Sequence, residues 1–211
     1  MAVASIKCVM VGDMACGKTC AAELFAEKKA MPAHYSPTLH GVTYKAQVTI
    51  ENQPITLELY DTPGQEDFEG RRSLYYPLAD VVLIVFNMAD RSTLENARSK
   101  WFTEVRKYIK DVPIVLAGMQ NDRVEEHSFK VPTDGYTISM ETHIEKIKDD
   151  IIRPVLYRTC STLQNVGVDD LFENIVQTGL QYQQDRQQLP TDYRRILANI
   201  VQVSTTPLVD P

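Results

Sequence analysis

The sequence predicts an α/β fold built around a mostly parallel sheet, and three observations carry that prediction. An apolar run, Ile6–Val11, passes through a glycine-containing loop into a helix-forming segment at Cys20–Glu27. Strict alternation of apolar and polar residues follows at 41–50 and again at 55–60, and beyond residue 80 short, wholly apolar runs alternate with amphipathic stretches of helical length. Strands buried on both faces read as continuous apolar runs, and strand–helix alternation layers helices onto the sheet.

In chain order, the first strand is expected at 5–11 and the first helix at 17–28. Gly41–Ile50 places Val42, Tyr44, Ala46, Val48 and Ile50 on one face and Thr43, Lys45, Gln47 and Thr49 on the other. Asn52-Gln53 is expected as the turn, after which Ile55, Leu57 and Leu59 alternate with Thr56, Glu58 and Tyr60, completing a hairpin with one polar side. Val81–Phe86 is a buried strand, 92–109 a helix carrying the single tryptophan Trp101, 112–117 another buried strand, and Val155–Thr159 a short last strand. Val168–Gln183 is an amphipathic helix, with Leu171, Phe172, Ile175, Val176 and Leu180 at helical spacing. No internal repeat interrupts this order.

The loop after the first strand reads Gly12-Asp13-Met14-Ala15-Cys16-Gly17-Lys18-Thr19, which is Gly, four residues, then Gly-Lys-Thr. In a strand–loop–helix setting this pattern cradles phosphate. Gly17 lets backbone N–H groups turn inward, the helix N-terminus adds its positive dipole end, Lys18 reaches terminal phosphates and the Thr19 hydroxyl suits magnesium. A second phosphate element, Asp61-Thr62-Pro63-Gly64-Gln65, follows the third strand. There a carboxylate holds magnesium through water, the Gly64 N–H meets a terminal phosphate and Gln65 orients an attacking water. Upstream, Tyr35-Ser36-Pro37-Thr38 offers a second hydroxyl to the metal at Thr38.

Composition narrows the classes. The 211 residues, 44% hydrophobic and 24% charged, suit one globular domain, assigned to 1–188, with a tail at 189–211. A net charge of −6 and a pI near 5.3 give no support for binding nucleic acid. Cys8, Cys16, Cys20 and Cys160 do not form a disulfide framework, which suits a reducing cytoplasm. The longest strongly apolar stretch, Val81–Phe86, is far too short to span a membrane.

Taken together, these elements resemble the Ras-like small GTPases, and within them the Rho family. The resemblance is carried by Val11-Gly12-Asp13, Ala15-Cys16-Gly17-Lys18-Thr19-Cys20, Tyr-x-Pro-Thr at 35–38 and Gly64-Gln65-Glu66-Asp67. Leu94-Glu95-Asn96, Trp101-Phe102-Thr103-Glu104-Val105 and an insert-like stretch at 123–140 add to it. It implies a P-loop G domain with a six-stranded, mixed, mostly parallel sheet and helices on both faces. It implies GTP or GDP with Mg2+ as the bound species. Gln65 and Lys18 would act in hydrolysis, and Thr19, Thr38 and Asp61 would serve the metal. Nucleotide contacts would come from 12–20, Tyr35, Pro37, Thr38, Asp61, Gly64, Gln120, Asp122, Ser161, Thr162 and Leu163. Effector and regulator proteins would bind through 31–42 and 62–77, and the protein is expected to be a cytoplasmic monomer that meets membranes only through partners.

The sequence departs from the family pattern at the nucleotide itself. Met14 and Pro63 stand where the family has glycine and alanine, so hydrolysis is expected to be slow or the switch biased. The base-reading residues Asn/Thr-Lys-x-Asp become Met119-Gln120-Asn121-Asp122, Ser-Ala-Lys becomes Ser161-Thr162-Leu163, and Met31 replaces the aromatic over the base. Asp122 alone keeps its guanine-reading carboxylate. Leu39-His40-Gly41 replaces Val-Phe-Glu in the effector loop, and His34, His127 and His143 show no metal spacing. The tail has no cysteine after 160 and no basic cluster, so no lipid anchor is expected; residues 191–202 have roughly helical apolar spacing. Two other readings remain open at this point: a pseudo-GTPase scaffold for protein partners, and a P-loop enzyme acting on a different nucleotide.

Overall fold

The computed structural model describes residues 4–29, 36–123, 131–133, 136–138, 140–148 and 152–188. Strand β1 (Ala4–Val11) is central, and from Cys8 to Val11 its residues are apolar and buried on both faces. Helix α1 (Lys18–Glu27) leads to β2 (Val42–Ile50) and β3 (Gln53–Asp61), an antiparallel hairpin whose second strand lies parallel to β1. A short helix α2 (Glu69–Arg72) precedes β4 (Val81–Asn87), parallel to β1 on its other side. Helices α3 (Arg91–Asn96) and α4 (Phe102–Tyr108) flank a π-helical turn, Ala97–Trp101, and lead to β5 (Ile114–Met119). A small hairpin, β6 (Val131–Thr133) with β7 (Tyr136–Ile138), and α5 (Met140–Ile147) precede β8 (Leu156–Cys160) and α6 (Val168–Gln188). The main sheet has the order β2-β3-β1-β4-β5-β8, with only β2 antiparallel, as the sequence led one to expect.

The alternation along β1 divides the core into two layers. Ile6, Cys8 and Met10 pack with Leu57, Leu59 and Leu83 against Ala21 and Ala22 of α1 and Phe172, Ile175 and Val176 of α6. Val9 and Val11 pack with Ile84 and Phe86 against Leu94, Trp101, Val105, Ile144 and Ile147. All four cysteines are free. Among the described residues no helix is long and apolar enough to cross a membrane.

Several boundaries differ from the sequence expectation for local reasons. The hairpin turns at Glu51 and Asn52, not at Asn52-Gln53, since both have positive φ (50° and 64°) and Gln53 pairs with Ile50. Two successive left-handed residues give the tight turn that matches strand twist, and asparagine tolerates that conformation. The 92–109 helix is broken into three segments by the π turn, which no apolar spacing announces. The fifth strand starts at Ile114 because Pro113 precedes it, and the last helix continues to Gln188. Residues 31–35, most of 123–140 and the 189–211 tail lie outside the described residues, as does the expectation of a helix at 191–202.

Candidate nucleotide site

The carboxyl ends of β1, β3, β4, β5 and β8 meet at one edge of the sheet, where open parallel sheets hold their ligands. A cavity of about 560 Å³ opens there. Its floor is the loop at 12–17 and the start of α1. That helix has no side-chain cap and no acidic residue in its first turn, so its leading N–H groups are left for an external acceptor. Gly17 caps it at φ 105°, a conformation that favours glycine, and a Cβ there would press on Met119 at 3.3 Å.

Lys18 is buried, with its ammonium donating to the carbonyls of Gly12 and Asp13 at 2.8 Å each. Beside it the Thr19 hydroxyl donates to Asp61 Oδ2 (2.6 Å) and lies 2.9 Å from the Thr38 hydroxyl, which also donates to Asp61 Oδ2 at 3.3 Å. Asp61 is fully buried and its Oδ1 has no partner. Burial pushes its carboxyl above the ordinary carboxylate value; the Thr19 bond, the Lys18 charge and the Thr38 bond offset this only in part. Two hydroxyls and an under-satisfied carboxylate are a hard, all-oxygen donor set, the kind magnesium takes. The residues present therefore fit Mg2+, with Thr19, Thr38 and Asp61 as its holders.

Gly64 lies directly on the phosphate loop: a Cβ there would stand 2.6 Å from the Met14 nitrogen and 2.8 Å from the Gly12 oxygen. Gln65 and Met14 line the same cavity; Met14 is 51% exposed and the Gln65 Oε1 is buried without a partner. Sequence reasoning missed what holds this segment. Arg72, fully buried, donates through Nη1 to the carbonyls of Pro63 (3.0 Å) and Gln65 (2.5 Å). Its Nε and Nη2 grip Glu104 at 2.7 and 2.8 Å, and the Tyr76 hydroxyl donates to the same carboxylate. Burial opposes the Arg72 charge, but the Glu104 carboxylate more than offsets it and the guanidinium stays above its usual pKa. An arginine in Gly70-Arg71-Arg72 gives no sequence signal of burial.

On the far side, Gln120 adopts φ 61° and donates from Nε2 to the Ala15 carbonyl at 2.9 Å, leaving its buried Oε1 unpartnered. The Ser161 hydroxyl donates to Asp122 Oδ1 at 2.5 Å, which orients that carboxylate. Thr162 lines the cavity, whereas Leu163 is 67% exposed and does not. Ala15 and Cys20 line it; Cys16 is buried beneath the loop with its thiol 3.7 Å from Lys18 Nζ, and Pro37 is exposed outside it. The Asp13 carboxylate faces away, accepting from Asn96 Nδ2 (2.8 Å) and Trp101 Nε1 (2.9 Å), so any phosphate contact at Asp13 would come from its backbone. Tyr35 lies outside the described residues. Asn87 and Arg123 also line the cavity and had no motif to mark them.

Residues 7–181 match the family model described as the Ras family. That match spans most of the chain, and the sheet order, phosphate loop and carboxylate–hydroxyl cluster lie within it. The chain belongs to the Ras family of small GTPases.

Proposed function

We propose that the protein is a guanine-nucleotide switch of Rho type that binds GTP or GDP with Mg2+, hydrolyses GTP slowly and signals through effector proteins. The observation that carries the reading is the Thr19–Thr38–Asp61 cluster, with its unpartnered buried Oδ1, beside the uncapped start of α1. Lys18 and the leading N–H groups of α1 bind and orient the phosphates, and the Gln65 Oε1 accepts a hydrogen bond from the attacking water. Bound magnesium would neutralise charge on the phosphate oxygens.

Slow hydrolysis is supported by Met14, whose side chain occupies the cavity edge shared with Gln65. Intrinsic rates in this class are about 10⁻⁴–10⁻³ per second, and Met14 obstructs an activating partner's approach. The Rho assignment is supported by the motifs around Trp101, and guanine by the oriented Asp122. Leu39, Val42 and Leu74 are exposed along the two segments that flank the cavity, and form the proposed effector surface. Arg71 ties these segments together, donating to the Leu39 carbonyl at 3.3 Å. The protein is taken to work in the cytoplasm as a monomer, reaching membranes through partners.

A second reading, a scaffold with degenerate base recognition, is favoured by one observation: Met119 is buried against Gly17 and brings no polar group to a base. The test is to purify the protein natively with magnesium, denature it and identify the released nucleotide by ion-pair chromatography. GDP supports a hydrolysing switch, and GTP a switch held on. An empty site that also refuses added GTP and GDP refutes the proposal and leaves the scaffold.

A further inference from the structure

Three features converge on one fully buried side chain, Trp101. Its indole N–H donates to Asp13 of the phosphate loop at 2.9 Å. Its ring face carries the Arg72 guanidinium, with Cζ 4.8 Å from the ring centroid, and Arg72 in turn holds the carbonyls on either side of Gly64. The π turn that ends at Trp101 explains how this is reached. In an α-helix, residues five apart point about 140° away from each other, so Asn96 and Trp101 could not serve one carboxylate. An i→i+5 turn stacks them on the same side, and Asn96 and Trp101 donate to the two oxygens of Asp13.

We propose that Trp101 is a positioning residue that links the phosphate loop to the segment carrying Gln65, through Asp13 on its edge and Arg72 on its face. This rests on the reading of the site as a nucleotide switch, since the linkage matters to a protein whose 63–72 segment must register what the phosphate loop holds. The indole suits that role because one edge donor fixes the ring plane, and the ring plane fixes where a guanidinium is attracted. A shift of the Asp13 carboxylate therefore turns the ring and moves the cation that holds Pro63 and Gln65. The Asp13 carboxylate and the Arg72 guanidinium are joined through the indole that lies between them.

The test is backbone hydrogen exchange of the 211-residue chain, read by peptide across 12–20 and 63–72. Asp13→Ala removes the acceptor for both donors; Asn96→Ala removes only the donor that has no contact with Arg72. Asp13→Ala is expected to speed exchange in 63–72 roughly tenfold, the effect of one net hydrogen bond to a charged group. Asn96→Ala is expected to loosen 12–20 and leave 66–72 unchanged. Trp101→Phe, which keeps the ring but loses the N–H, should reproduce the 63–72 effect, and combining it with Asp13→Ala should add nothing there. Equal effects of Asp13→Ala and Asn96→Ala on 66–72 would mean that loosening spreads directly from the loop, and would overturn the proposal. So would unchanged 63–72 exchange in Asp13→Ala. If Trp101→Phe fails to fold, the comparison of the other two variants still decides. The exchange readout needs neither bound nucleotide nor hydrolysis, so an empty wild-type site would refute the functional reading without imitating either result.

Discussion

Replacing Glu104 by glutamine removes one charge from a pair in which Arg72 is 0% and Glu104 7% exposed. The guanidinium then stays desolvated, with an amide in place of the carboxylate that accepted both Nε and Nη2. Breaking a buried pair by removing one partner costs about 3–5 kcal/mol. The remaining amide oxygen still accepts one bond, which places the expected loss near the lower end, about 3 kcal/mol. For a domain of this size that lowers Tm by roughly 6–12 °C. Urea unfolding followed by fluorescence gives the value directly, with the m-value unchanged if the native state keeps its extent. Because both groups are buried, added salt should change the loss little. The double variant Arg72→Met/Glu104→Leu should regain little of it, because it also strips the Pro63 and Gln65 carbonyls of their donor and leaves the Tyr76 hydroxyl without its acceptor. A loss below about 1 kcal/mol in Glu104→Gln, or one that salt abolishes, is the behaviour of a surface pair and would refute this account of the core.

Asp61→Asn should stabilise the protein in excess chelator at neutral pH, because burial raises the folded-state carboxyl pKa and the charged form therefore costs stability above the ordinary value. In excess magnesium and GDP the wild type should gain about 2.7 kcal/mol at hundredfold saturation, and the variant should lose most of that gain, as read by thermal melts. The Tyr76 hydroxyl is pushed above its ordinary value of 10 by burial and by Glu104. The unfolded chain therefore releases that proton first, and stability falls as pH rises beyond this value, by about 1.4 kcal/mol per pH unit. Tyr76→Phe should lessen the slope by that one group's share, since Tyr44, Tyr60 and Tyr182 shift in the same direction, in urea midpoints taken either side of pH 10. Gly64→Ala would drive a methyl within 2.6 Å of the Met14 nitrogen, a backbone atom with no rotamer to escape into. It should cost about 1–3 kcal/mol and slow single-turnover GTP hydrolysis, and an unchanged rate would mean that the 64–66 segment moves freely.

The sheet was legible because its signals are local. The apolar runs of β1, β4 and β5 and the alternation in the hairpin are written in consecutive residues, and so is the phosphate loop. What escaped was tertiary. Asp13 stands inside the motif, yet its carboxylate is claimed by Asn96 and Trp101, more than eighty positions away. Arg72 looks like a surface residue until Glu104, Tyr76 and the backbone of 63–65 enclose it. Gln120 donates to the Ala15 carbonyl, which the residue type alone did not reveal. The hairpin turn was misplaced by one residue because the strand pairing, not the composition, decides which two residues turn left-handed.

The strand order has a consequence for how such a molecule can change over evolutionary time. The residues proposed to hold the phosphates stand at the ends of β1 and β3, neighbours on one side of the sheet, whereas 119–123 and 161–163 stand at the ends of β5 and β8, with β4 between the two groups. The two groups meet where Gln120 donates to the Ala15 carbonyl and Met119 packs against Gly17, and contributions from residues outside such contacts add nearly independently. Substitutions at 161–163, away from those contacts, can therefore drift while the β1–β3 side keeps the chemistry proposed for it. Two traits that a single ordered loop would force to vary together are, in this architecture, separately heritable.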